Sequence, residues 1–166
     1  MEGYIRRTGA FGSSFRPICA IGERGALPHA PPTDRVLGES SKILVDWGAD
    51  LGYKSDLTRT FRSPFGTSPS RRNKTERIGQ NFDEIFDAVN AAHEAAVETI
   101  RGGVPAKDVD AAARKVLDKA GYGKYFTHGL GHGLGLEVHE APRVRANSND
   151  VLEAGMVITI EPGVYI

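Results

Sequence analysis

Two stretches of the chain align with each other without a gap, and this match narrows the open architectures more than any composition figure. VLGESSKILVDWG (residues 36–48) runs parallel to VLEAGMVITIEPG (residues 151–163). Ile43 falls against Ile158, Val45 against Ile160, Asp46 against Glu161 and Gly48 against Gly163. Upstream of each lies a His-x-x-Pro, His29 to Pro32 and His139 to Pro142. Self-similarity of this kind points to duplicated structural units. If two such units pair about a pseudo-twofold axis, Asp46 and Glu161 meet near it, and so do His29 and His139.

The second constraint is YFTHGLGHGLGLEVHEAP, residues 125–142. It holds His128, His132 and His139 of the five histidines, separated by Gly129, Gly131, Gly133 and Gly135. Glycine lets backbone approach a ligand or another strand closely. Neutral imidazole is a frequent metal ligand and shuttles protons near neutral pH. One such histidine is ordinarily a solvated turn residue; three within twelve positions point to a site.

In chain order, residues 1–14 are polar and Gly/Ser-rich and are expected to be loose. Residues 15–21 read as a short strand and residues 22–25 as a turn. ALPHAPPTD (26–34) has three prolines, which exclude helix and favour extended backbone. His29 therefore sits on a stiff segment, where a lone histidine is most often incidental. KILVDW (42–47) and residues 57–61 read as the strands of a β-hairpin, with turn residues between them. Asp46 is out of keeping with strand propensity, and a buried carboxylate needs a partner. Asp56 faces back across the hairpin, so the two aspartates could converge on one cation, although each alone reads as a turn aspartate. Residues 62–72 form a Pro/Ser/Arg-rich connection. Residues 74–101 read as a helix with Phe82, Ile85, Phe86, Val89 and Ala96 on one face, ended by Gly102 and Gly103. His93 on it reads as a surface or structural residue. A second helix follows from about Pro105, with Val109, Ala112, Ala113, Val116, Leu117 and Ala120 inward. Residues 125–130 and 134–139 read as extended, 143–150 as a polar loop, and 156–165 as a buried strand carrying Glu161.

Two Asp, one Glu and one His make an oxygen-rich donor set without thiolate. Such a set suits Mn²⁺, Co²⁺, Fe²⁺ or Zn²⁺ rather than a cysteine-type structural zinc. A carboxylate-bridged metal pair acidifies a shared water and polarises a carbonyl, and nearby histidines can relay protons. The reaction class expected is amide hydrolysis. His128-Gly-Leu-Gly-His132 is not the helical two-histidine zinc motif, because it lacks the Glu and contains glycines unfit for helix. Nor is it a dinucleotide loop, since Leu134 occupies the third glycine position.

Lys+Arg and Asp+Glu are both 21, so bulk charge argues for neither nucleic acid nor membrane. The single Cys19 excludes an internal disulfide and fits a reducing compartment. With no apolar leader at the start, a cytoplasmic protein is expected.

ALPHA, ILVDWGA, SDLTRTF, HGLGHGLGLEVHE and ITIEPGVY, in that order, resemble the landmarks of the pita-bread metallopeptidases: Xaa-Pro aminopeptidases, prolidases and methionine aminopeptidases. The Thr-Arg after Asp56 and the His-Glu-x-Pro at His139 lean toward the Xaa-Pro branch. The resemblance implies an α+β pita-bread fold, with helix-pair and antiparallel-strand units related by a pseudo-twofold. It implies that Asp46 binds one metal, Asp56 bridges two, and His132 and Glu161 hold the other. It gives His29 and His139 catalytic contact with substrate and proton transfer, and places His128 in the substrate pocket. Two divalent metals per site (Mn, Co or Zn) and a peptide with proline at its second position follow, with a homo-oligomer open. The family's fifth ligand, a glutamate on a further strand, has no counterpart before Ile166, and its upstream helices are missing. The Asp46–Asp56 loop looks one residue short. The expectation is therefore an incomplete catalytic domain over residues 15–166, truncated at both ends and of doubtful activity alone. The alternatives are a non-catalytic binding protein on this fold or an inactive truncated reading frame, with amidine hydrolysis a minor variant.

Overall fold

A computed structural model describes residues 1–36, 42–62 and 82–166. The chain divides into two compact units, Met1–Asn81 and Phe82–Ile166.

The first unit is built on a three-stranded antiparallel sheet. Its strands are β2 (Ile18–Ile21), β3 (Lys42–Trp47) and β5 (Leu57–Arg62), with β3 in the centre. The hairpin predicted from KILVDW is present, with Asp46 opposite Thr58 on one side and Ile18 on the other. Its turn is narrow: a Cβ on Gly48 would lie 1.7 Å from the Ser55 carbonyl oxygen, so only glycine fits. A single 3₁₀ turn, Gly22–Ala26, follows β2, and no helix or strand occupies residues 27–36, as the prolines require.

Residues 1–14 differ from the sequence reading. They carry α1 (Glu2–Arg7) and β1 (Gly12–Ser13), the latter paired with β4 (Ala49–Asp50). Ile5 is buried, and the Glu2 carboxylate accepts both Arg6 Nε–H (2.8 Å) and Ser13 N–H (3.1 Å). A helix this short has no propensity signal of its own. Tertiary contacts hold it, which is why the polar composition misleads.

The second unit contains α2 (Phe82–Thr99), α3 (Ala106–Lys119), β6 (Gly131–Gly133) and β7 (Glu140–Val144). The predicted connection 62–72, apart from Arg62 in β5, and helix residues 74–81 lie outside the described residues. The two helices pack through small side chains. Ala92 and Ala96 of α2 and Ala106, Val109 and Ala113 of α3 are fully buried in one cluster with Leu117, Leu130 and Val144. Phe86 is exposed rather than inward, and so is Ala120, while Asp110 takes an inward place that the apolar pattern assigns to none. His93 is at the surface as expected. Gly103, with φ +89°, turns the chain between the helices, and its N–H donates to Leu152 O (2.7 Å). Pro105 stands immediately before α3.

The strands here are shifted from their predicted places. The strand is β6 itself, Gly-His-Gly, and residues 135–139 form bends instead of a strand. Propensity scores glycine as a strand breaker, but both neighbours of β6 press on it. A Cβ on Gly131 would meet Thr159 O at 2.0 Å, and one on Gly133 would meet Ala141 O at 2.0 Å. Residues 157–161 pair antiparallel with 130–134 through Leu134 N–H to Val157 O (3.0 Å), Thr159 N–H to His132 O (2.8 Å) and Glu161 N–H to Leu130 O (2.8 Å). They are not a regular strand, because the His132 N–H donates to the Thr159 hydroxyl (3.0 Å). β7 extends through Arg143 and Val144, which were assigned to the polar loop. Among the described residues no helix is long and apolar enough to cross a membrane.

Candidate metal centre

In the first unit, His29 is exposed on the extended segment after the 3₁₀ turn, and Asp46 and Asp56 are half-buried. Asp46 lies opposite Thr58, two residues along from Asp56. Side chains alternate faces along a strand, so the register puts both carboxylates on one face of the hairpin as diagonal neighbours.

In the second unit, β6 carries His132, which is buried. The extended segment 157–161 brings Glu161 beside it, with His132 Nε2 3.0 Å from Glu161 Oε1. The other ring nitrogen, Nδ1, lies 3.0 Å from Gly133 O. A carbonyl only accepts, so Nδ1 carries the proton and Nε2 is the nitrogen turned to the carboxylate. The Thr159 hydroxyl donates to the same Glu161 oxygen (2.8 Å) and accepts the His132 N–H. Burial pushes the Glu161 carboxyl up. Hydrogen bonds from His132 and Thr159, and the charge that His132 and His128 carry when protonated, outweigh burial and hold it below its usual value.

His139 is exposed, and its ring meets that of His132 edge-on, centroids 4.3 Å apart. His128 is committed within the fold: Nδ1 donates to Gly129 O (2.7 Å), and Nε2 shares a hydrogen bond with the Tyr165 hydroxyl (2.8 Å).

Thr159, Tyr165, Asp110 and Arg114 were missed in the sequence. Asp110, fully buried, takes Arg114 Nε–H on Oδ2 (2.6 Å) and Leu130 N–H on Oδ1 (3.0 Å). A signal existed for this pair. Asp and Arg four apart face each other on a helix, and Asp110 falls between Val109 and Ala113, both inward. Thr159 and Tyr165 gave no comparable signal, since each is an ordinary strand residue by type.

The residues present fit a divalent metal. Two donors about 2.1 Å from an octahedral cation, subtending a right angle at it, stand about 3.0 Å apart, which is the separation of His132 Nε2 and Glu161 Oε1. Both donors are oriented from behind, by Gly133 O and the Thr159 hydroxyl, as metal ligands commonly are. The pair accommodates one cation, either a proton shared as a hydrogen bond or a metal ion.

Known proteins identify the family and the fold. The model of metallopeptidase family M24 matches residues 1–166. A Xaa-Pro dipeptidase of Pyrococcus horikoshii is 42% identical over 167 residues, covering 100% of this chain and 44% of that protein. The crystal structure of the prolidase from the same organism superposes with a TM-score of 0.86 at 42% identity, over 99% of this chain and 44% of its own. An X-Pro aminopeptidase from Thermotoga maritima gives a TM-score of 0.86 at 36% identity, with 99% and 44% covered. The chain thus spans about 44% of the length of the curated relatives it matches. Its fold is α+β, part of the pita-bread fold of these neighbours, and its relatives carry names of the Xaa-Pro branch. With a matching fold and a family model that covers it from end to end, the chain belongs to metallopeptidase family M24.

Proposed function

We propose that the chain forms part of a catalytic domain that hydrolyses the N-terminal peptide bond of peptides with proline at the second position. The observation that carries this reading is the oriented His132–Glu161 pair, two donors 3.0 Å apart with the histidine Nδ1 already committed. Asp46 and Asp56 complete the donor set in this proposal, on the strength of the sequence resemblance. Two divalent metals, Mn, Co or Zn, would supply Lewis acidity and an acidified water. His132 and Glu161 hold their donor atoms in place without rearrangement. His29 and His139 contact the substrate and move protons to and from the scissile amide, and His128 lines the substrate pocket. The catalytic domain comprises residues 15–166 in this reading, and α1 and β1 precede it within the first compact unit of the chain.

Relatives named dipeptidase and aminopeptidase are about equally similar in structure, so substrate length is part of the test. An exposed free Cys19 suits a reducing, cytoplasmic setting. The experiment is turnover of an Xaa-Pro dipeptide and an Xaa-Pro tripeptide by the purified chain loaded with Mn²⁺ or Co²⁺. Metal-dependent cleavage lost in Asp56→Asn and His132→Ala supports the proposal. Peptide binding without cleavage would transfer support to a binding protein on the same fold, a reading that retention of four ligand candidates disfavours.

A further inference from the structure

We infer that Asp110 and Arg114 of α3 are positioning residues that lock the register of the glycine-rich segment 126–134, and through it the placement of His132 against Glu161. The inference rests on the metal reading of that pair.

The polar backbone groups used on one edge of this segment come from alternate residues. Leu130 O, His132 and Leu134 N bond the chain at 157–161. After Glu161, that chain next bonds the backbone just ahead of this segment, through Tyr165 N–H to Tyr125 O (3.1 Å). From Leu130 backward, the same edge is taken by the clamp. Leu130 N–H donates to Asp110 Oδ1 (3.0 Å), Arg114 Nη1 donates to Phe126 O (3.1 Å), and Arg114 Nη2 donates to His128 O. The guanidinium is held in turn by both Asp110 oxygens and lies over the Phe126 ring, 4.3 Å from its centroid. A helix-borne carboxylate and guanidinium therefore stand in for the next rungs of the sheet.

Glycine-rich strands specify register weakly, because they offer few side chains to choose a face. Residues 129, 131, 133 and 135 are all glycine. A slip of one residue would turn His132 away from Glu161. Leu130 is the shared link. Its N–H is fixed by Asp110, and its carbonyl oxygen fixes the Glu161 N–H at 2.8 Å. Lysine cannot replace Arg114, since a point charge cannot span the carboxylate and two carbonyls at once.

The test compares Arg114→Lys and Asp110→Asn with Val109→Ala, a fully buried neighbour on α3 that makes no polar contact with the segment. Amide hydrogen exchange of the metal-free chain is expected to lose protection at Leu130, Thr159 and Glu161 at least tenfold beyond the rest of the second unit in Arg114→Lys. Val109→Ala should lower protection evenly. In parallel, Co²⁺ affinity should fall about 10- to 100-fold in the clamp variants, as for other groups that orient ligands, and stay within threefold in Val109→Ala. An Arg114→Lys exchange profile like that of Val109→Ala would overturn the inference. Should Asp110→Asn fail to fold, Arg114→Lys, which keeps the charge, still decides. A wild-type chain that binds no Co²⁺ would refute the metal reading alone, leaving the exchange profile to judge the clamp.

Discussion

Gly131→Ala isolates the claim that β6 must be glycine because the neighbouring chain presses on it. The new Cβ would lie 2.0 Å from Thr159 O and 3.0 Å from the Thr159 hydroxyl. Reaching even 3.0 Å from the carbonyl takes about 1 Å of strand separation, and the obstacle is backbone, which no rotamer change relieves. Overpacking of this kind costs about 2 kcal/mol, or roughly 8–16 °C in Tm for a unit of this size. The displaced residue lies two positions from Glu161 and bonds to His132. If the full shift reaches the donors, their separation grows from 3.0 Å toward ~4 Å, close to the collinear limit for two ligands at ~2.1 Å. Co²⁺ affinity should then fall at least tenfold. Gly121→Ala is the control. Gly121 has φ +83° and nothing within 4 Å of an added Cβ, so it is strained but not blocked. It should lose roughly 1–2 kcal/mol and keep its metal affinity. Thermal melts by circular dichroism and Co²⁺ titration calorimetry read both quantities. Gly131→Ala with a wild-type Tm and Co²⁺ affinity within threefold would refute the reasoning.

Three further outcomes follow from the same geometry. Thr159→Val removes the hydroxyl that holds both Glu161 Oε1 and the His132 N–H. It should cost about 1–3 kcal/mol in urea melts and weaken Co²⁺ about tenfold; unchanged values would show that the hydroxyl is incidental. Glu161 has its carboxyl held below the usual 4.5, so its contribution to stability is present above that pH and drains away as pH falls through the lowered folded-state value. Urea melts of metal-free Glu161→Gln below pH 4.5 should therefore show a shallower loss with acid than wild type, and parallel curves would contradict this. Leu117→Ala, in a fully buried position of the α2–α3 core, should destabilise by about 2–5 kcal/mol while leaving Co²⁺ binding intact in the folded fraction, measured by melts with and without metal.

The parts of the fold legible in the sequence were those with a local signal. KILVDW announces β3 through its apolar, β-branched run, and the Gly103 and Pro105 punctuation sets the break between α2 and α3. Residues 134–139 and β6 were misplaced because glycine at 131 and 133 answers a long-range pressure from Thr159 and Ala141 that no window of sequence contains. The helix at Glu2–Arg7 was missed for a related reason: Glu2 holds Ser13, eleven residues away. Among the candidate site residues, His132 and Glu161 are brought together in the second unit, and His139 lies against His132. His128 proved to be bonded at both ring nitrogens, which the spacing of the histidines could not reveal. The clamp at Asp110 and Arg114 was hidden by a habit of reading helix faces as apolar, although their spacing of four was visible.

In the proposed function His132 and Glu161 form half of a metal-binding donor set, and this pairing is directly measurable. Its most direct measurement is Co²⁺ titration calorimetry of the 166-residue chain in two buffers of different ionisation heat, repeated on His132→Ala and Glu161→Gln. Co²⁺ is expected to bind with proton release in the wild-type chain and at least a hundredfold more weakly in either variant while both remain folded. Co²⁺ binding as tight in the variants as in the wild type, or none in a folded wild-type chain, would contradict it.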